Sequence, residues 1–121
     1  MEYTRYSSGG IVVVSAWHRA RRYVIIHNYL QDGGGEIFVT VQVETLAALQ
    51  LLAQIAAVPG VDSIFLGPGD LSASMGFLGD IGRGEVQEQL KQGAQVCRQL
   101  GKPCGIVGPN PELGGKFREC G

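Results

Sequence analysis

A chain of 121 residues, 45% hydrophobic and 17% charged, can bury one core and is too apolar for a disordered tail, so a single domain over 1–121 is expected. Ten basic and eleven acidic residues leave a net charge of −1, which excludes an overall field that would gather nucleic acid or an anionic membrane. Nineteen glycines, spread between apolar runs, predict many short connections.

The first 35 residues carry the weakest pattern. Residues 10–14 suggest a short strand, and the basic cluster His18-Arg19-Ala20-Arg21-Arg22 has no aromatic interleaving, so it reads as a solvated face. The apolar run 11–17 is too short to span a bilayer and follows no basic leader, so no membrane partner and a cytoplasmic location are expected. His18 and His27 both read as surface or packing histidines. Gly33-Gly34-Gly35 then marks a loop.

From there the signal is regular. Residues 37–43, IFVTVQV, are rich in β-branched side chains and predict a strand that feeds one helix over 45–57, ended by Pro59-Gly60. In that helix Leu46, Leu49, Leu52, Ala53 and Ala56 form one apolar stripe. Residues 61–66 predict a second strand, Gly67-Pro68-Gly69 a turn, and Asp70-Leu71-Ser72 the cap of a short helix. A helix over 85–100 places Val86, Leu90, Ala94 and Cys97 on one face, a strand follows at 103–107, and a last helix starts at 111 and runs to 120. Strands alternating with helices imply parallel strands joined by right-handed crossovers, an α/β fold of the doubly wound or barrel kind. Cys97, Cys104 and Cys120 are odd in number and lack C-x-x-C spacing, so they read as reduced thiols, with Cys104 a buried structural one.

Side chains alternate along a strand, so Val39, Val41 and Val43 point one way while Thr40, Gln42 and Glu44 point the other. A parallel strand covered on both faces is normally apolar throughout, and burying Gln42 and Glu44 without partners would be expensive. Such residues at the C-terminal end of a parallel strand are where active sites of barrels and open sheets are built. Asp70 follows the next strand at the same relative place, after a Gly-Pro-Gly turn that lets backbone approach a ligand. Two carboxylates there suit a hard divalent ion, which prefers oxygen donors. The plainer reading stays open beside it: Glu44 as a residue favoured before a helix N-terminus, and Asp70 as a simple N-cap. No nucleophile emerges, and no G-x-G-x-x-G or G-x-x-x-x-G-K-[ST] supports a nucleotide-binding half sheet.

Taken together, Val41-Gln42-Val43-Glu44-Thr45, Ala57-Val58-Pro59-Gly60-Val61-Asp62 and Gly67-Pro68-Gly69-Asp70-Leu71-Ser72-Ala73-Ser74-Met75-Gly76 closely resemble the HpcH/HpaI (hydroxy-oxo-heptanedioate) aldolase family, in order and spacing. Gly101-Lys102-Pro103 and Gly105-Ile106-Val107 resemble its next strand, so the likeness runs from about Glu36 to Gly121, with the segment before it diverged. The resemblance implies a partial TIM barrel, about four of eight parallel strands from the C-terminal half, and the chemistry of a class II pyruvate aldolase, a lyase that cleaves 2-keto-4-hydroxy acids to pyruvate and an aldehyde. It implies Mg2+ or Mn2+ held by Glu44 and Asp70, with the pyruvate-type 2-keto acid positioned by Gln42 and touched by the backbone at Gly69. The histidine, acid and arginine that the family places on earlier strands have no match here, so no catalytic residue is assigned. A homo-oligomer or a complementing chain is therefore expected as partner; the alternative is an inactive remnant or oligomerising fragment of the fold.

Overall fold

In the computed structural model the chain divides into two compact units, Met1–Val39 and Thr40–Gly121. The structure describes residues 4, 10–12, 17, 19, 22–23, 25–108 and 115. The expected strand at 10–14 falls partly, and the last helix from 111 almost wholly, outside the described residues, as do His18 and Cys120. In the first unit a single helical turn, α1 (Tyr29–Asp32), starts from Asn28 in the left-handed region and ends where Gly33 N–H donates to Tyr29 O at 2.8 Å.

The second unit is built on three parallel strands in the order β1 (Thr40–Val43), β2 (Ser63–Leu66), β3 (Cys104–Ile106). Thr40 pairs with Ser63, Gln42 with Phe65 and Phe65 with Gly105, while the rows Val41–Ile64–Cys104 and Val43–Leu66–Ile106 alternate with them. The apolar rows belong to the core: Val43, Ile64 and Leu66 are buried, joined by Val41, Cys104 and Ile106 at its margin. The rows between them carry Thr40, Gln42 and Phe65, which are exposed or half-buried. The sequence alternation of valines against Thr40 and Gln42 is thus the two-sidedness of the sheet.

Between the strands run α2 (Leu46–Gln50), α3 (Leu52–Ala56), α4 (Pro68–Ser74) and α5 (Gly84–Gln99). α5 follows its expected face: Val86, Leu90, Ala94 and Cys97 are all buried, with Gly93 beside them. The second strand begins at Ser63 rather than 61, β3 and α5 match their expected ranges to within one residue at each end, and three places depart further from the sequence pattern. The first strand begins at Thr40 rather than 37, because its pairing with the four-residue β2 starts opposite Ser63. The single helix expected over 45–57 breaks at Leu51, whose N–H turns back to Ala48 O at 3.1 Å before α3 resumes. The expected turn at 67–69 is already helix, with Gly67 as N-cap and Pro68 at the first position, where a missing N–H costs nothing.

Candidate functional site at the strand ends

The residues that leave β1 and β2 at their C-terminal ends are Glu44 and Gly67. Gly67 N–H donates to Val43 O at 3.0 Å, which extends the β1–β2 ladder by one bond and holds the turn beside position 44. The chain after Glu44 is fixed twice: Thr45 Oγ1 accepts from Ala48 N at 3.1 Å as the N-cap of α2, and Leu46 N donates to Ser74 Oγ of α4 at 3.0 Å. Ser74 in turn donates to Leu71 O, and the fully buried Ser72 hydroxyl donates to Gly69 O at 2.7 Å, so α4 is pinned at its start and its end. The contacts to Ala48 N and Leu46 N satisfy first-turn N–H groups of α2 that have no partner within the helix.

On this frame Gln42 and Glu44, two residues apart on one face of the strand, meet directly: Gln42 Nε2 donates to Glu44 Oε2 at 2.6 Å. A hydrogen bond to an ionised acceptor is among the stronger kinds and orients the carboxylate. The pair lies across the Gly67 backbone. A Cβ at Gly67 would stand 2.8 Å from Glu44 Cβ, 3.0 Å from Glu44 Oε2 and 3.2 Å from Gln42 Nε2. The bare glycine is therefore the floor on which carboxylate and amide rest.

Gly69 and Asp70 follow in the first turn of α4, and both are exposed. Asp70 is thus a first-turn residue rather than the N-cap, and its side chain makes no hydrogen bond or ion pair with any described residue. A Cβ on Gly69 would meet nothing within 4 Å, so the backbone there faces open space. The structure brings Gln42, Glu44 and Gly67 into contact and sets Gly69 and Asp70 on the turn that begins at Gly67. Among the described residues no group of three or more His, Cys, Asp or Glu side chains is gathered closely enough to form an all-protein metal cage. Asp70 is exposed and Glu44 half-buried, and carboxylate oxygens of this kind suit a hard divalent ion that keeps positions for water or substrate.

Sequence reasoning read Gly67 as part of a turn that lets backbone approach a ligand and as part of the family motif, with no link to Glu44. Its Cβ-sized conflict with Glu44, 23 residues away, carried no local signal. It also missed Ser74, whose role depends on α4 meeting the start of α2. Next to Gln42 in the register stands Phe65, whose ring packs on Gly105; a Cβ there would lie 2.8 Å from Phe65 Cδ2.

Other candidates fall elsewhere. His27 is exposed in the first unit. Cys97 is buried in the core and Cys104 half-buried, both as free thiols; the contact with Cys97 and then burial push the Cys104 thiol well above its ordinary value, which suits a structural residue. An apolar groove on the helix side, lined by Leu49, Leu52, Gly93 and Val96, includes none of Gln42, Glu44, Gly69 or Asp70. Among the described residues no helix is long and apolar enough to cross a membrane.

Comparison with known proteins decides the lineage: residues 3–120 match the profile of HpcH/HpaI aldolase/citrate lyase. The chain belongs to this family. The match includes the N-terminal segment, where sequence patterning was weakest. The chain is 41% identical over 117 residues to 2-dehydro-3,6-dideoxy-6-sulfogluconate aldolase of Pseudomonas putida, covering 97% of this chain and 46% of that protein. It is 43% identical over 119 residues to 4-hydroxy-2-oxo-heptane-1,7-dioate aldolase of Shigella sonnei, covering 98% of this chain and 45% of that protein. A solved HpcH/HpaI aldolase/citrate lyase family protein from Burkholderia cenocepacia superposes with a TM-score of 0.91 at 34% identity, over 99% of this chain and 48% of the other. An HpcH/HpaI aldolase from Desulfitobacterium hafniense gives 0.79 at 25% identity, over 98% and 47%. The chain thus spans about half the length of the curated relatives it matches.

Proposed function

We propose that this chain carries the metal-holding and pyruvate-holding part of a class II pyruvate aldolase, a cytoplasmic lyase that cleaves 2-keto-4-hydroxy acids to pyruvate and an aldehyde. The observation that carries the reading is the Gln42–Glu44 pair resting on Gly67 at the C-terminal ends of parallel strands, with Asp70 on the adjoining turn. Such strand ends are where barrel enzymes place their chemistry. The relatives named as aldolases at more than 40% identity support the same reaction class.

In this reading Glu44 and Asp70 supply hard anionic oxygens to Mg2+ or Mn2+, and the donor set fits: one Glu44 oxygen is held by Gln42, and Asp70 has no partner among the described residues. When bound, the ion supplies Lewis-acid polarisation at the keto oxygen of pyruvate. Gln42 orients Glu44 through one amide N–H, and its second N–H would be the donor available to a substrate oxygen. The Gly69 backbone, open on its outer side, lies against the pyruvate carboxylate. No described side chain is assigned as the base that moves the methyl proton. That group and the remaining strands of a TIM barrel would be supplied by another copy of the chain, by a complementing chain or by sequence continuous with this one.

The test is Mg2+-dependent exchange of pyruvate methyl protons with deuterated water, followed by NMR. Exchange above buffer that Asp70→Asn and Glu44→Gln each abolish is the expected result. A folded chain with no metal-dependent exchange would replace this reading with the alternative, an inactive fragment of the fold.

A further inference from the structure

We propose that Gly67 is a positioning residue: the absence of a side chain there sets where the Glu44 carboxylate can lie, and through it the affinity of the site for a divalent ion. The proposal rests on the reading of Glu44 as a metal ligand. Gly67 has φ −101° and ψ 92°, a backbone conformation open to any L-residue, so glycine is not required by the turn. The restriction is space. A Cβ at 67 would meet Glu44 Cβ at 2.8 Å, closer than non-bonded carbons approach, and both carbons are attached directly to backbone. Neither end can step aside cheaply: Gly67 N–H is bonded to Val43 O, and residues 45 and 46 are tied to Ala48 and Ser74. The same Cβ would press on Glu44 Oε2, the oxygen that accepts from Gln42, and on the donating Nε2 itself. A methyl at 67 therefore pushes out both members of the pair, whose atoms are the three nearest to it. By contrast, a Cβ on Gly84, at the start of α5, meets nothing within 4 Å.

The experiment compares the 121-residue chain with its Gly67→Ala and Gly84→Ala variants by Mn2+ titration and, without metal, by NMR of the Gln42 side-chain amide protons. Gly67→Ala is expected to weaken Mn2+ about 10- to 100-fold, the range for groups that orient a metal ligand, with Gly84→Ala at wild-type affinity. In the metal-free protein the hydrogen-bonded amide signal of Gln42 is expected to be lost in Gly67→Ala alone. Wild-type affinity and an intact Gln42 signal in Gly67→Ala would overturn the proposal while leaving the metal reading in place. A wild-type chain that binds no Mn2+ overturns the metal reading and with it the claim on affinity; the Gln42 signal then decides the steric claim by itself. Should Gly67→Ala not fold, the Glu44→Gly/Gly67→Ala double variant, which removes the carbon that is struck, is expected to restore folding. Its failure to do so would overturn the steric argument as well.

Discussion

Two polar pairs on the same face of the sheet show how position decides what a side chain is worth. Thr40 Oγ1 and Ser63 Oγ lie 2.6 Å apart, and Ser63 is buried. Thr40→Val removes one partner and is expected to destabilise the chain by about 1–2 kcal/mol in urea unfolding. Adding Ser63→Ala should recover part of that loss, since a hydroxyl without a partner is worse than none. A double variant no better than the single would contradict the account. Gln42 and Glu44 are polar for a different reason: their pairing leaves further acceptor atoms unused, which is what a ligand-binding pair requires. A third residue-scale expectation concerns Glu85. Its carboxyl is held below its ordinary value, first by the backbone N–H it accepts from and then by Arg83, whose Nε lies 3.2 Å away. A depressed folded value stabilises the native state above the unfolded value and is lost as pH falls through the folded one. The difference in melting temperature between wild type and Glu85→Gln should therefore be small near neutrality and be lost as pH falls through the lowered carboxyl value of the folded chain.

At the scale of elements, α5 was the most legible. Its apolar residues recur at helical spacing, and every one of Val86, Leu90, Ala94 and Cys97 is buried. Leu90→Ala opens a cavity at the centre of that face and is expected to cost about 2–5 kcal/mol by denaturant titration. The α2–α3 region was less legible: its stripe is apolar throughout, yet the helix breaks at Leu51, and only Leu52 and Ala56 of the five stripe residues are fully buried. Periodicity records which side faces the core but not where a backbone hydrogen bond shifts from one carbonyl to the next. The run 37–43 shows the same limit for strands, since β-branched composition extends beyond the residues that find a partner. Thr45, expected as the first residue of the helix, is instead its N-cap. As N-cap it is worth about 1 kcal/mol, so Thr45→Ala should lower stability by that much. Because it also fixes the chain just after Glu44, the same variant should weaken Mn2+ binding, a readout that an unrelated helix cap would leave unchanged.

At the scale of the molecule, the described sheet has three parallel strands, with β1 and β3 each paired on one side only among the described residues. An unpaired parallel edge offers a row of donors and acceptors to another chain. If a second copy supplies those partners, the melting temperature should rise with protein concentration and sedimentation should report a dimer or larger species. A concentration-independent transition from a monomer would count against self-association.

The sequence by itself determined the α/β alternation, the apolar face of β1, the burial of α5 and, through linked motifs, the family to which the chain belongs. These follow from short-range rules, in which a residue and its near neighbours set propensity, periodicity and turn chemistry. Tertiary structure alone decided that Gly67 touches Glu44, that Ser74 holds the start of α2 and that Thr40 meets Ser63. Those contacts join residues more than twenty positions apart. They depend on the register between β1 and β2, which is set by the length and packing of the crossover between them rather than by any single residue.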